Sequence, residues 1–279
     1  MALRVSETAY TLVLDDTKVV VAGDWHGNRS RIGHAVPAAA ATGATTLLHL
    51  GDLGLWPGES ADLLALIDYW SRRAARGPGL PGIERILLTP GNHEDWSAIA
   101  NALDVAPGHA VRVSEVVWLL PRGFRFALGG RSALSFGGAA SIDRAGRVPY
   151  RSWWREEMPT EEDVERAAAG GDVDILLSHD AAGATLVPAV LKVLSGPTWL
   201  TLDEVTYSAT SRIRVQQVVN AVHPRLHLHG HWHVRDWAVW EGEGQRSLRI
   251  ESMDMDGYAG NLGLLDLHTL TVTDIDVTP

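Results

Sequence analysis

Five short apolar runs, each cut off by a compact polar motif, constrain the fold of this chain more than any other feature. Val19 to Ala22 leads into Gly23-Asp24-Trp25-His26, Thr46 to Leu50 into Gly51-Asp52, and Ile86 to Leu88 into Gly91-Asn92-His93 after a Thr-Pro step. Val173 to Leu177 leads into Ser178-His179-Asp180, and Leu226 to Leu228 into Gly230-His231-Trp232-His233 after one histidine. Val/Ile/Leu runs of this length bury on both faces of a sheet in a layered α/β domain. Their ends open into the crevice where ligands bind. All five motifs are therefore expected at strand ends.

Asp, His and Asn converging on one dry crevice repel one another or remain unpaired, at a cost on the order of several kcal/mol per charge unless something neutralises them. A divalent cation does so. Imidazole, carboxylate and amide oxygen are the donor mixture expected for Mn, Fe, Co, Ni or Zn. Thiolate is excluded as a ligand, because the chain has no cysteine.

At these residues the chain resembles the calcineurin-like metallophosphoesterase superfamily, whose pattern runs D-x-H, G-D, G-N-H, H and G-H-x-H. The resemblance extends from Gly23 to His233. Each motif alone is weak, but five in order, each behind an expected strand, are specific. The resemblance implies that Asp24, His26 and His233 hold one metal ion, that Asn92, His179 and His231 hold a second, and that Asp52 bridges them. It casts His93 as the acid that protonates the leaving oxygen or steadies the transferring phosphoryl group. It also implies an α/β fold, a four-layer α-β-β-α sandwich of two mixed sheets with flanking helices, over a single domain spanning 1–279. Two divalent ions are expected as cofactors, with Mn favoured.

Two cations about 3.5–4 Å apart polarise a phosphoryl group and lower the pKa of water between them, so no protein nucleophile is needed. Positioned cations and donors then offset the charge that spreads over the equatorial oxygens. An imidazole such as His93 titrates near working pH and suits proton donation to the departing oxygen.

Departures from the family pattern narrow the activity. Serine/threonine phosphatases of the superfamily extend the second motif to G-D-x-x-D-R-G and place an arginine before G-N-H; here Gly51 to Pro57 reads G-D-L-G-L-W-P, and Thr89-Pro90 precedes Gly91. The expectation is a phosphodiesterase acting on nucleotides, including cyclic ones, or on other small diesters. A phosphomonoesterase and a nuclease on single-stranded ends are the alternatives. A non-catalytic scaffold is disfavoured because all eight site positions carry the expected residue type.

The net charge of -10 argues against a surface for long duplex nucleic acid, since such surfaces are basic. Residues 1–16 include Arg4, Glu7, Asp15 and Asp16 and lack the apolar core of a secretory signal. No run approaches the roughly 20 apolar residues of a membrane span. A cytoplasmic protein without membrane partners is the expectation.

Periodicity predicts an N-terminal strand pair (Leu3 to Val5, Thr11 to Leu14) and helices at Ser30 to Ala41, Ser60 to Arg76, Asp95 to Leu103 and Thr160 to Ala169. Val116 to Leu120, Phe124 to Leu128 and Ser132 to Phe136 read as an antiparallel meander. Val234 to Trp240, Ser247 to Glu251, Leu262 to Leu267 and Val272 to Ile275 read as a strand-only tail. Leu186 to Leu194 reads as a helix interrupted after Pro188, with a turn at Pro197 to Leu200.

Substrate choice is expected in Ser141 to Glu157, which carries Arg144, Arg147, Arg151, Trp153 and Trp154, and in Asp180 to Ser211, read as a lid or a dimer contact. The favoured reading of that first segment pairs its arginines with Asp143, Glu156 and Glu157. Of the eleven tryptophans, Trp25, Trp56, Trp96 and Trp232 flank ligands, with Trp56 and Trp96 the better placed to stack on a base. His49, His227 and His229 read as packed residues behind the ligands, and Asp95 and Asp180 as possible partners of ligand imidazoles.

Overall fold

A computed structural model describes residues 3–75, 81–196, 200–242 and 246–277. In chain order the strands are β1 (Glu7–Ala9), β2 (Val13–Leu14), β3 (Lys18–Ala22), β4 (Thr46–His49), β5 (Arg85–Leu88), β6 (Ala110–Arg112), β7 (Val117–Leu119) and β8 (Phe124–Leu128). They continue as β9 (Arg131–Phe136), β10 (Ile175–Ser178), β11 (Leu226–His229), β12 (Asp236–Trp240), β13 (Leu248–Ser252), β14 (Leu262–Asp266) and β15 (Thr271–Asp274). The α-helices are α1 (Arg29–Ala41), α2 (Ser60–Ala74), α3 (Trp96–Leu103), α4 (Glu161–Ala168), α5 (Pro188–Ser195) and α6 (Leu202–Val222).

Alternation along the buried strands sets the layers. Val19 and Val21 of β3 join Leu48, Leu87, Ile175, Leu177, Leu226 and Leu228 in one apolar cluster between two sheets. Val20 and Ala22, one residue out of phase, pack with Leu47 and Ile86 against Ile32, Val36, Leu63, Ile67 and Ile99 of α1, α2 and α3. On the other side, Leu134 and Leu176 pack against Val164 of α4 and Val215, Val218 and Val222 of α6. The strands are thus apolar on both faces, as buried parallel strands must be. The result is the expected four-layer sandwich.

One sheet has the order β1-β6-β7-β5-β4-β3-β14-β15, the other β12-β13-β11-β10-β9-β8-β2. In the first, β3, β4, β5 and β7 run parallel. In the second, β9, β10, β11 and β13 do. The carboxyl ends of both parallel sets meet at one edge of the sandwich. There the imidazole of His179, following β10, reaches the carbonyl of Leu50, following β4, at 2.7 Å.

Caps fix where the helices begin. Asn28 accepts from the Arg31 amide and Asp95 from the Ala98 amide, while Thr160 and Thr201 each form a reciprocal capping box with the residue three positions on. Such caps contribute about 1 kcal/mol apiece. Asp95 is thereby committed to its helix and does not orient an imidazole.

Three sequence expectations change. The N-terminal segments are not paired: Glu7–Ala9 lies against β6 in the first sheet and Val13–Leu14 against β8 in the second. Leu3 and Val5 contribute side chains to the outer core instead of forming a strand. The meander breaks after its first strand, since β7 pairs with β5 and β6 in the first sheet while β8 and β9 form a hairpin in the second. The intervening turn holds Arg122, whose guanidinium binds the carbonyls of Gly137, Glu156 and Glu157 and the Asp163 carboxylate.

Finally, Pro188 starts α5 rather than interrupting it, as suits a residue without an N–H to leave unpaired. α5 lies on β12 and α6 on α4, so both pack onto the body of the domain. Of the expected turn, residues 197–199 lie outside the described residues. No described helix is long and apolar enough to cross a membrane.

Candidate metal centre

At the shared edge of the sandwich the expected ligands come together. Donor atoms of Asp24, His26 and His233 lie within 4.8 Å of one another, and those of Asp24, Asp52 and His179 form a second such group. The Asn92 Oδ1 is 3.0 Å from His179 Nε2. His231 stands in neither group: its ring is edge-on to His179 at 5.0 Å between centroids, and its amide donates to Asp24 Oδ1 at 3.2 Å. Asp24 thus belongs to both groups, a position between the halves that the motif pattern assigns to Asp52.

Backbone geometry explains why the motifs contain glycine. A Cβ on Gly91 would lie 2.2 Å from Asp52 Oδ1, one on Gly230 2.3 Å from Asp24 Oδ1, and one on Gly51 2.4 Å from His179 Nδ1. The carboxylates and the imidazole occupy the space a side chain would take. His26, Asp52, His231 and His233 adopt φ of 45°, 52°, 67° and 52°. Left-handed backbone at non-glycine residues costs energy and clusters where function requires it. Here it turns ligands inward from the first residues after each strand.

The electrostatics call for positive charge. Burial pushes the Asp52 carboxyl up, but His179 and His93 outweigh it and hold Asp52 well below the usual carboxylate range. Burial likewise opposes Asp24, yet its hydrogen bond to His233 and the charge of His179 bring it down. The same fields act on the imidazoles: despite burial, Asp52 raises His179 to about 10, and Asp256 with Asp52 raises His26 to about 10. Two protons are held where two buried carboxylates need cations, the demand that divalent ions meet. His231 is pushed down to about 4, first by burial, so its ring is neutral as a metal ligand must be. The carbonyl of Leu50 can only accept, so His179 Nδ1 donates to it and Nε2 is the nitrogen available to an ion. The donor set fits a divalent pair.

Several supporting residues carry no motif. Glu94, immediately after Gly91-Asn92-His93, is fully buried and accepts from the amides of Gly54 (3.3 Å) and Gly91 (2.8 Å), tying the second and third motif loops together. Burial and then Asp52 push its carboxyl up to about 7. Its place beside a ligand motif is the one clue to it in the sequence. Asp256 lies 3.4 Å from His26 Nδ1 and accepts from Asn28, and nothing local marks it, because it arrives from the loop between β13 and β14. Asn92 donates to Ser141 Oγ at 3.0 Å, and Ser141 in turn is held by Glu157, which also accepts from Trp153 and Tyr207. The 141–157 segment, expected to govern substrate choice, therefore also positions Asn92.

His93 sits apart from both donor groups. Its amide donates to Asp52 Oδ1 at 2.8 Å, its Nε2 is 3.9 Å from Asp52 Oδ2, and the Arg147 guanidinium lies 3.2 Å from that same Nε2. Guanidinium only donates, so Nε2 is the acceptor. Burial, followed by the Arg147 charge, holds the His93 pKa below its ordinary value although Asp52 pulls upward. A cleft of about 510 Å³ opens here, lined by Trp56, His93, Arg147, Tyr150, Arg151 and Trp154 among others.

The arginine pairings are partly as expected. Arg147 binds Asp143, but Arg144 pairs with Asp203 and lies over the Tyr207 ring. Trp153 and Trp154 pin the segment through Glu157 and Ser97. Trp25 and Trp96 are buried, their indole N–H groups donating to Asn261 and to the Gly91 carbonyl. Arg122 covers the Trp96 ring at 4.2 Å, so Trp96 is no stacking platform; Trp56 keeps access to the cleft. His49, His227 and His229 are buried as expected. Asp180 accepts from Ala181, Ser211 and Trp232, not from a ligand imidazole.

A family model for calcineurin-like phosphoesterases matches residues 17–235. The chain belongs to that family. The fold agrees: TT1561 of Thermus thermophilus superposes with a TM-score of 0.55 at 14% identity, covering 94% of this chain and 99% of that one. The phosphopantetheinyl hydrolase PptH of Mycobacterium tuberculosis aligns with a TM-score of 0.49 at 14% identity, covering 90% of this chain and 96% of that one. No curated protein matches the sequence. Family membership makes this chain a metal-dependent phosphoesterase with a dinuclear divalent centre.

Proposed function

We propose that the chain hydrolyses phosphodiesters of nucleotide size, with Mn as the favoured metal. Asp24, His26 and His233 would hold one ion, Asn92, His179 and His231 would hold the other, and Asp52 would be shared. When bound, the ions would supply Lewis acidity and an activated water. The rest of the work belongs to the side chains. His93 stands beside the ligands without joining them and so faces the departing oxygen. Arg147 is within reach of the same position, and a phosphoryl oxygen that draws its guanidinium away from His93 releases Nε2 and removes the neighbouring charge that disfavours the imidazolium.

The observation that carries the diester reading is the cleft next to His93, walled by Trp56, Tyr150, Arg147 and Arg151. A monoester has only one organic arm, whereas a diester needs room for two. Aromatic and cationic walls suit a base and a second phosphate or sugar. Metal-loaded protein is to be assayed with Mn on paired chromogenic substrates, a bis-ester and a monoester of the same phenol. Preference for the bis-ester is expected; hydrolysis confined to the monoester rejects the diester assignment.

A further inference from the structure

A second cavity, of about 700 Å³, opens on the outer face of the second sheet between α6 and the β12–β13 pair, away from the metal centre. Its walls are mostly apolar, with Ala182, Leu186, Val219, Trp240, Leu248 and Ile250 contributing. The volume lies in the range of small-molecule sites.

One polar group in this lining is not accounted for. His227 of β11 is fully buried and lines the cavity. Its Nε2 lies 2.7 Å from Ser178 Oγ, and that hydroxyl spends its single proton on the Asp180 carbonyl at 2.6 Å. Nε2 must therefore carry the hydrogen and donate to Ser178, which fixes the tautomer and leaves Nδ1 with a lone pair. That Nδ1 is buried and has no hydrogen-bond partner among the described residues. A buried acceptor left unmet is costly, and most such groups in folded proteins are satisfied. Burial, followed by the neighbouring His229, keeps the ring neutral, so Nδ1 stays an acceptor.

The mouth of the cavity selects against charge. Asp172 is 3.1 Å from His223 Nδ1 and 3.7 Å from Arg246, so the ionic groups at the opening compensate one another. At the rim, Asn220 accepts from Gln216 through Oδ1.

We propose that this cavity is a second ligand site, for an uncharged, largely apolar ring compound that donates one N–H to His227 Nδ1. It is independent of the phosphoester assignment, since no residue in its lining belongs to the metal centre or the cleft beside His93.

Titration calorimetry of the metal-loaded protein with indole and with 1-methylindole tests it, because the two probes share shape and apolar surface and differ in the N–H. Indole is expected to bind saturably, and 1-methylindole at least about tenfold more weakly, the scale of one hydrogen bond. Leu248→Trp fills the cavity, and Ala184→Phe blocks it from an exposed position; each is expected to abolish indole binding with phosphoester hydrolysis unchanged. If Leu248→Trp does not fold, Ala184→Phe carries the test. No saturable binding of indole, equal affinity for both probes, or undiminished binding in a folded, blocked variant overturns the proposal.

Discussion

Asp24, Asp52 and His179 are fully buried and wedged against the backbone of Gly230, Gly91 and Gly51, whereas Arg144 and Arg147 on the facing 141–157 segment are held by side-chain pairs at a partly exposed rim. The first region has almost no alternative arrangement. The second can exchange partners: Arg147 already divides its guanidinium among Asp143, the Ser152 carbonyl and His93. On the proposed function, reaction chemistry is set where neighbours leave no slack, and substrate choice where they do. The two regions meet at Ser141, which links Asn92 to Glu157.

The sharpest way to break this contrast is to add one methyl group to the rigid side. Gly91→Ala or Gly230→Ala places a Cβ about where a carboxylate oxygen now sits, 2.2 Å and 2.3 Å away respectively. Loss of at least about 10³-fold in kcat/KM is expected, because misplaced metal ligands remove the main electrostatic stabilisation. A change below tenfold, measured on a chromogenic ester, means that the crevice is softer than its contacts indicate.

His93→Ala comes next. A drop of about 10²–10³-fold in kcat is expected with both ions retained, the scale of a lost general acid or transition-state donor. Metal analysis of the purified variant is decisive here; loss of an ion moves His93 into the coordination sphere.

Glu157→Ala tests the link between the regions. Freed from Glu157, Ser141 no longer fixes Asn92, and a fall of about 10–100-fold in affinity for one ion is expected. Equal weakening of both ions, followed by titration of the apo-protein, shows the effect to be general loosening instead.

The smallest effect belongs to the rim. Arg147→Ala is expected to raise KM and lower kcat by about tenfold together, since its guanidinium touches His93 and lines the cleft. Arg144→Ala, whose partners are Asp203 and Tyr207, is expected to change kcat/KM less than about twofold. Steady-state kinetics that reverse this order put the specificity surface on the α6 side.

The sequence made the rigid region legible and the loose one much less so, for a physical reason. Ligands at the ends of parallel strands are local, because each apolar run and its motif are contiguous, and strand direction alone brings the motifs to one edge. Glu94 and Asp256 act on those ligands from loops, and their partners are decided by packing over distances that no spacing rule covers. The same limit explains the strand errors. Alternating apolar residues announced β7, β8 and β9, but not that the Pro121-Arg122-Gly123 turn carries the chain from one sheet to the other. The helix after Leu186 was legible, but Pro188 was read as interrupting it and instead starts it. Trp96 shows the reverse case, an aromatic next to a motif that serves the core.

The central claim is that two buried carboxylates and their histidines form one centre for two cations. Equilibrium dialysis of the metal-free protein against Mn, with metal counted per chain, tests it most directly. Two ions per chain are expected in the native protein, with Asp52→Ala losing the pair as a unit because Asp52 lies against both His26 and His179. Native protein that binds one ion or none, or an Asp52→Ala variant that still binds two, contradicts it.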